Sequence, residues 1–214
     1  MKKYRSYNSL FLFLFPFLSL GLLAQETPKK RYVHTGIFCA DVSIAPGFLI
    51  NQNVSTISIP AGIEFYLDEH VSFRADVYFH VASDITSDSL KLTANHQLLC
   101  GASYHFATKG YFDPYLAFQP GVTYGQVTPQ NKLPMNTETP NGTIAYSPNL
   151  APILGIALGF NYYFPRFFHI FVEARYIHGT LLYNAPGAFP LDEMKISFGL
   201  GWNLNLIKQK KAQG

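Results

Sequence analysis

The chain has 214 residues, of which 48% are hydrophobic and 16% aromatic but only 14% charged, whereas an ordinary soluble domain is about 25% charged. A disordered chain would be rich in charge and poor in aromatic residues, so this composition excludes one, and 2 cysteines are too few for a disulfide scaffold. The formal net charge of +3 is too small for a strongly basic nucleic-acid binder. A protein that is apolar outside and polar inside would reconcile many aromatic residues with few charges.

The first 24 residues have the features of a secretory signal peptide and predict Sec-type export. Lys2, Lys3 and Arg5 form a positively charged start, an apolar segment follows over residues 10–23, and Ala24 precedes the predicted cleavage site. The apolar segment is shorter than the roughly 20 residues that a membrane-spanning helix needs. No longer apolar stretch follows in the mature chain, which predicts that it contains no transmembrane helix.

Hydrophobicity alternates with a period of two along eight segments of the mature chain, as expected of β-strands. Bulky apolar residues occupy one face of each segment, and small or polar residues occupy the other. The predicted strands lie within residues 32–44, 57–66, 71–80, 90–106, 114–126, 152–164, 168–179 and 194–206.

The predicted connections between these strands alternate in length. Three are short, at residues 68–70, 107–113 and 165–167, and four are longer, at residues 45–53, 83–89, 128–149 and 183–191. Short periplasmic turns and longer extracellular loops are typical of transmembrane β-barrels. We therefore predict an all-β, eight-stranded antiparallel up-and-down transmembrane barrel over residues 32–206. A short periplasmic segment, 25–31, would precede it, and a periplasmic tail, 207–214, would follow.

A soluble lipid-carrying barrel would also alternate, but its outer face would be charged. Here the polar face consists of Gly, Ala, Ser and Asn with few charges, which suits the narrow interior of an eight-stranded barrel. The charged residues predicted to point inward are Asp41, Glu64, Asp76, Glu173, Arg74, Lys91, Arg175 and Lys195. Buried charges persist only when paired, so we expect ion pairs in the interior.

Two of these positions allow a register prediction. If Leu67 and Val71 oppose each other across a short turn, Glu64 lies directly opposite Arg74. We also expect Asp41 and Lys195 near the same extracellular end, where the first and last strands close the barrel.

Aromatic residues cluster beside the three short turns, which predicts an aromatic girdle at the periplasmic membrane interface. The clusters comprise Phe65, Tyr66, Phe73, Tyr104, Phe106, Tyr111, Phe112, Tyr162, Tyr163, Phe164, Phe167 and Phe168.

Three short sequences carry a family resemblance. One is the spacing Ser197-x-Gly199-x-x-Trp202-x-Leu204, which is similar to the C-terminal signal that the barrel-assembly machinery recognises in outer-membrane barrels. The other two are Val172–Tyr176 and Asp113–Tyr115, which are similar to short motifs common in outer-membrane barrels. The chain thus resembles the small outer-membrane β-barrel proteins of Gram-negative bacteria, in the OmpA/OmpX-like and related porin-like families. The resemblance implies an outer-membrane location, contact with outer-membrane lipids and lipopolysaccharide, and assembly by that machinery.

Residues of the types that catalyse reactions or bind metals are scattered along the sequence. Cys39 is predicted to point inward and Cys100 outward, so we expect no disulfide between them. The seven histidines show no metal-ligand spacing on one face, and no nucleotide-binding, zinc-hydrolase or serine-hydrolase motif is present. We therefore assign no catalytic, cofactor or metal residues, and no nucleic acid as partner.

One segment supports a rival hypothesis. His178 and Thr180 are predicted to point outward at the extracellular rim, followed by the acids Asp192 and Glu193. This faintly resembles the outward site of lipid A 3-O-deacylase barrels, in which a hydroxyl, a histidine and an acid cooperate. Threonine replaces the serine and Leu181 replaces the usual asparagine, so we expect no assembled triad.

The preferred interpretation is a non-enzymatic outer-membrane barrel with a plugged interior. Its role would be structural, adhesive or in surface interaction through extracellular loops, with an unknown extracellular ligand. The alternatives are a lipid A 3-O-deacylase-like hydrolase, a small pore and a soluble lipid-carrying barrel.

Overall fold

The computed structural model describes residues 31–84, 90–129, 148–164, 167–181 and 189–207, and the predicted signal peptide lies outside them. The described chain is built of strands: β1 (Ile37–Leu49), β2 (Val54–Tyr66), β3 (Val71–Ser83), β4 (Leu90–His105), β5 (Phe112–Pro129), β6 (Asn149–Tyr163), β7 (Phe168–Leu181), β8 (Phe189–Pro190) and β9 (Glu193–Asn205). Within these residues no helix is long and apolar enough to cross a membrane.

The long strands close into a barrel. Each pairs antiparallel with the next along the chain, and β1 pairs with β9 from Ile37 opposite Asn205 to Leu49 opposite Glu193. The two-residue strand β8 is attached to β7 just before β9 begins. Closure pairs every long strand with a neighbour on both sides over at least part of its length. The predicted eight-stranded antiparallel barrel is confirmed.

The barrel is apolar outside and polar inside, as the alternation predicts. On β9, Ile196 and Phe198 are 57% and 55% exposed, whereas Lys195 and Ser197 are 0% and 1% exposed. The same arrangement is found around the whole barrel, because every long strand has large apolar side chains on its outer face. A soluble lipid-carrying barrel has the opposite arrangement.

The predicted loop at residues 45–53 is wrong. The inward alternation continues through Ala45 and Leu49, so β1 runs five residues further than predicted, and only a turn at 50–53 joins it to β2. Asn53 takes a positive φ of 54° in this turn, which asparagine tolerates better than most residues. The other three predicted long loops fall largely outside the described residues.

Short turns at 67–70 and 106–111 lie at one end of the barrel, which we call the periplasmic end because transmembrane barrels have short periplasmic turns. Most of the predicted girdle residues point outward there, including Phe73, Tyr104 and Phe168 at about half exposure. Tyr66 and Tyr163 instead point into the lumen and are fully buried. These two residues belong to the interior.

The wall is irregular between β3 and β4. Their ladder runs from Val71 opposite Tyr104 only as far as Tyr78 opposite Gln97. Beyond it, β3 continues along β2, and β4 continues along β5 with an irregularity between Leu92 and Ala94. This shift reverses the alternation, so Leu92 is buried and Lys91 lies on the other face. The predicted inward position of Lys91 is therefore wrong.

Candidate functional site

The centre of the lumen contains a closed ring of two arginines and two acids. Arg74 contacts Asp76 at 3.0 Å and Glu173 at 3.1 Å, and Arg175 contacts the same two carboxylates at 2.8 Å each. The side chains come from β3 and β7, which are not neighbours in the wall, so the ring spans the lumen. All four are at most 4% exposed. Each charge thus has two opposite partners, which buried charges need.

Neutral side chains complete the hydrogen bonding of this ring. The Tyr115 hydroxyl donates to Glu173 at 2.7 Å, and the Gln119 amide donates to Asp76 at 2.9 Å. The Arg175 guanidinium donates to the Gln119 amide oxygen at 2.5 Å and lies 5.3 Å from the centre of the Tyr78 ring. Residues from β3, β5 and β7 therefore fill the cross-section together.

A second polar cluster lies toward the extracellular end. The Lys195 ammonium contacts Glu193 at 2.7 Å and donates to the Ser58 hydroxyl at 3.1 Å. Glu193 also accepts hydrogen bonds from the Asn95 and Gln97 side-chain amides, both at 3.1 Å. Glu193 and Lys195 are both fully buried.

A third cluster lies toward the periplasmic end around His105. Its ring nitrogens contact Asp113 at 2.8 Å and Glu64 at 3.2 Å. The Tyr66 hydroxyl donates to Asp113 at 3.0 Å and shares a 2.6 Å hydrogen bond with the Tyr163 hydroxyl.

Apolar layers close the lumen beyond the polar clusters. At the extracellular end the buried side chains are Leu49, Val54, Leu92, Val127, Ala151, Leu181, Phe189 and Leu191. Phe189 and Leu191 come just before β9, so residues 189–191 fold back into the mouth. At the periplasmic end Val33, Ile37, Cys39, Tyr66 and Tyr163 form a similar layer.

Residues before β1 contribute to the periplasmic layer. The Arg31 guanidinium contacts Asp113 at 3.2 Å, and the Tyr32 ring stacks on Tyr163 at 4.6 Å between centres. The Tyr32 backbone N–H donates to the Gly110 carbonyl oxygen at 2.9 Å. The chain thus crosses the periplasmic mouth before it enters the wall.

The extracellular rim carries a small cluster centred on Asp192. The His178 ring contacts this carboxylate at 2.5 Å, the Tyr176 hydroxyl donates to it at 3.1 Å, and the Asn51 amide donates to it at 2.5 Å. These hydrogen bonds, that of His178 first, hold the pKa of Asp192 below its usual range. The Ile50 backbone N–H also donates to the Asp192 carbonyl oxygen at 2.8 Å, so Asp192 ties the β1–β2 turn to β7.

The comparisons with known proteins agree with this architecture. A family model described as the outer membrane protein beta-barrel domain matches residues 10–203. The chain belongs to this family. No curated protein matches the sequence.

Solved structures show the same fold. Neisserial surface protein A is 14% identical, with 81% of this chain and 99% of that chain covered and a TM-score of 0.50. OprG from Pseudomonas aeruginosa is 13% identical, with 84% of this chain and 100% of that chain covered and a TM-score of 0.54. As a member of its family the chain is an outer-membrane β-barrel protein.

The predicted register of this outer-membrane barrel is confirmed between β2 and β3, where Glu64 lies opposite Arg74 with both side chains buried. Glu64 and Arg74 nevertheless do not form an ion pair with each other. Arg74 contacts Asp76 and Glu173, whereas Glu64 contacts His105. The lumen is narrow enough for long side chains to meet across it.

The predicted proximity of Asp41 and Lys195 is wrong. Asp41 lies opposite Gly201, whereas Lys195 lies opposite Gly47, six residues further toward the extracellular end of β1. The short β1–β2 turn explains the difference, because β1 extends past Asp41 by eight residues instead of ending soon after it.

The inward positions of Asp113, His105 and Glu193 are not among those that the sequence pattern predicts. Asp113 and His105 share the inward alternation of Tyr115 and Ser103, so the period of two could have found them. Glu193 was assigned to the rim, yet it begins the inward face of β9.

The residues of the deacylase hypothesis are only partly brought together. His178 meets Asp192, but the Thr180 hydroxyl makes no hydrogen bond among the described residues, and Glu193 points into the lumen. His178 is exposed, with 63% of its side-chain surface accessible. The triad of the rival hypothesis is therefore incomplete in the part of the chain that is described.

Cysteine and histidine positions follow the alternation. Cys39 is buried in the lumen and Cys100 is exposed on the outer wall, and both are free thiols. No group of three metal-ligating side chains occurs among residues with described positions.

Proposed function

We propose that this outer-membrane protein is a closed, non-enzymatic barrel that acts through its extracellular surface. The observation that carries the proposal is the layered filling of the lumen. Two apolar layers enclose three polar clusters, and the central arginine–carboxylate ring reaches from β3 to β7. An interior filled by side chains is expected of an eight-stranded barrel.

Both ends of the lumen support closure. At the extracellular end, Phe189 and Leu191 are 4% and 0% exposed. At the periplasmic end, Val33 is 2% exposed, and Tyr32 packs against Tyr163. Apolar constrictions exclude water and therefore ions, so each layer would block conduction even if the polar centre rearranged.

A surface role follows from what remains accessible. With the lumen filled, a partner in the external medium can reach only the rim and the extracellular connections, of which that between β5 and β6 is the longest, at 130–148. Adhesion or another surface interaction through these connections is the role we propose, within a membrane of outer-leaflet lipopolysaccharide.

Biogenesis is proposed from the sequence features. Residues 1–24 would direct Sec-type export, and the Ser197-to-Leu204 spacing would be read by the barrel-assembly machinery. In support, Trp202 and Leu204 point outward on β9, at 47% and 50% exposure, where a recognition factor could contact them.

Single-channel recording in planar lipid bilayers tests the closed lumen. We expect no conductance steps from the wild-type barrel. The variant Val33→Ala/Tyr163→Ala/Arg175→Ala/Phe189→Ala/Leu191→Ala opens the central ring and both apolar layers, and we expect steps from it. A matched control, Val172→Ala/Ile196→Ala, removes similar apolar bulk from the outer wall of β7 and β9 and should stay silent. Steady wild-type conductance as large as that of the opened variant would refute closure and favour the pore.

Cell attachment tests the surface role. Cells that express the chain should adhere to a mucin or matrix-coated surface more than cells in which residues 130–147 are replaced by a four-residue turn. Gel mobility before and after boiling would verify that the shortened barrel still folds. Equal adhesion of the two strains would contradict a role for this connection.

A further inference from the structure

The wall opens toward the extracellular end between β3 and β4. Beyond Tyr78 and Gln97 the two strands no longer pair, and among the described residues two isolated hydrogen bonds cross the space. The His80 backbone N–H donates to His96 Nδ1 at 3.2 Å, and the Ser83 hydroxyl donates to the Leu92 carbonyl oxygen at 2.6 Å. We call this region, residues 79–83 and 90–96, the β3–β4 fork.

The fork contains a cavity of about 230 Å³, lined by residues 80–83 of β3 and 91–93 of β4. Two polar groups in its lining lack partners. The Lys91 side chain makes no hydrogen bond or ion pair with any described residue. The buried Nδ1 atom of His80 likewise has no hydrogen-bond partner within the described chain. An ammonium group and a free ring nitrogen around one cavity provide the donors that an anion requires.

The position of the fork indicates its depth in the membrane. Lipid-exposed backbone groups without partners are not tolerated in the hydrocarbon region, so the separated strands must lie above the apolar band. The aromatic residues agree with this level. On the outer wall His96 lies between Phe79 and Tyr124, with ring centres 6.4 and 6.3 Å away. Such rings mark the membrane interface, where lipid headgroups lie.

We propose that the β3–β4 fork binds the phosphate headgroup of an outer-leaflet lipid. The Lys91 ammonium supplies the positive charge, and His80 donates from Nδ1 in the tautomer that carries its proton there. Phosphate oxygens form charge-assisted hydrogen bonds with such donors. Asp84 follows β3 directly, and its backbone N–H donates to the Ser55 carbonyl oxygen of β2 at 2.9 Å. The cavity shares Leu92 with the extracellular apolar layer.

Native mass spectrometry of the folded full barrel in detergent tests this site. The probes are bisphosphorylated lipid A, the same lipid after enzymatic removal of its phosphates, and inorganic phosphate as a competitor. We expect the phosphorylated lipid to bind the wild-type barrel more tightly than the dephosphorylated lipid. Lys91→Gln should weaken this binding by roughly tenfold, the size expected for loss of one charge-assisted hydrogen bond. Lys91→Arg should retain most of it.

Lys109→Gln is the matched control, because it removes the same charge from an exposed turn at the periplasmic end. Its affinity should equal that of the wild type. Equal losses in the two glutamine variants would overturn the site in favour of general electrostatic attraction. Equal binding of both lipids to the wild-type barrel would overturn phosphate recognition at the fork. Inorganic phosphate that binds without any measurable lipid A binding would assign the site to free phosphate instead.

Discussion

Substitution of Arg175 by methionine is the most direct test of the central ring. The Arg175 guanidinium is fully buried and contacts Asp76, Glu173 and Gln119. Methionine keeps most of the apolar stem of the side chain but lacks the guanidinium and therefore every donor. The Asp76 and Glu173 carboxylates would then share Arg74 alone, and the Gln119 amide oxygen would lose its partner.

The expected loss is about 3–5 kcal/mol of the free energy of unfolding, which is typical when one partner of a buried ion pair is removed. An exposed ion pair contributes at most about 1 kcal/mol. The control Lys109→Met changes an exposed turn residue in the same way and should alter the free energy by no more than about 0.5 kcal/mol.

Urea unfolding in lipid vesicles can measure this difference through the fluorescence of Trp202. It is the only tryptophan of the chain, and it lies outward beside Phe168, where it would leave the lipid on unfolding. A second variant, Arg175→Met/Glu173→Gln, removes one stranded charge and should be less destabilised than the sum of its single variants. A loss below about 1 kcal/mol for Arg175→Met, or strict additivity in the double variant, would refute the proposed coupling.

Three further results are expected. Because hydrogen bonds to its ionised carboxylate lower the pKa of Asp192, Asp192→Asn should lower the urea midpoint at pH 7. The difference should vanish as the pH falls below about 4 through this lowered pKa; a constant difference down to pH 2 would contradict it. Gly121→Ala should destabilise the barrel by more than about 1 kcal/mol, because a Cβ there would overlap the Leu98 carbonyl oxygen. Gly155→Ala, whose nearest atom is the mobile Leu99 Cδ2 at 2.7 Å, should cost less in the same urea titration. His178→Ala should leave the acyl pattern of lipid A unchanged in mass spectra of cells that express the protein; a 3-O-linked chain retained only in the variant would reveal a deacylase.

The alternation of apolar and polar residues along the strands could be predicted from the sequence because the lipid environment constrains each outward residue independently of its neighbours. A side chain on the outer wall must be apolar whatever its neighbours are, so Ile196 and Phe198 identify their face without any knowledge of pairing. The register of β2 and β3 followed because a short turn fixes which residues are opposed. Each of these predictions needed only local information.

The errors arose where structure departs from local regularity. The irregularity between Leu92 and Ala94 reverses the alternation on β4 but has no recognisable sequence pattern. The sequence therefore wrongly predicts that Lys91 points inward. The β1–β2 loop was overestimated because Pro46 and Gly47 are typical of turns, although both lie within β1, with Pro46 facing outward. Turn-forming residues do not end a strand whose inward face still packs.

The contacts of the lumen depend on distances that no strand pattern contains. Arg175 and Asp76 are 99 residues apart and belong to strands that do not pair. Their contact requires the barrel radius and the level of each residue along the axis, both of which are set by closure of β1 on β9. The segment before β1 was missed for a related reason. Arg31 and Tyr32 show no alternation, and they become partly buried only because they contact Asp113 and Tyr163 at the periplasmic end of the closed barrel.

The two faces of the wall therefore differ in the substitutions they can accept. An outward residue such as Leu200 contacts lipid, which adapts to a change of shape, so another apolar side chain can replace it at little cost. An inward residue such as Gln119 has partners on other strands, and its loss leaves buried charges without hydrogen bonds. Functional variation at the outer membrane can then accumulate in the extracellular connections, because there a substitution disturbs neither the apolar wall nor the filled lumen.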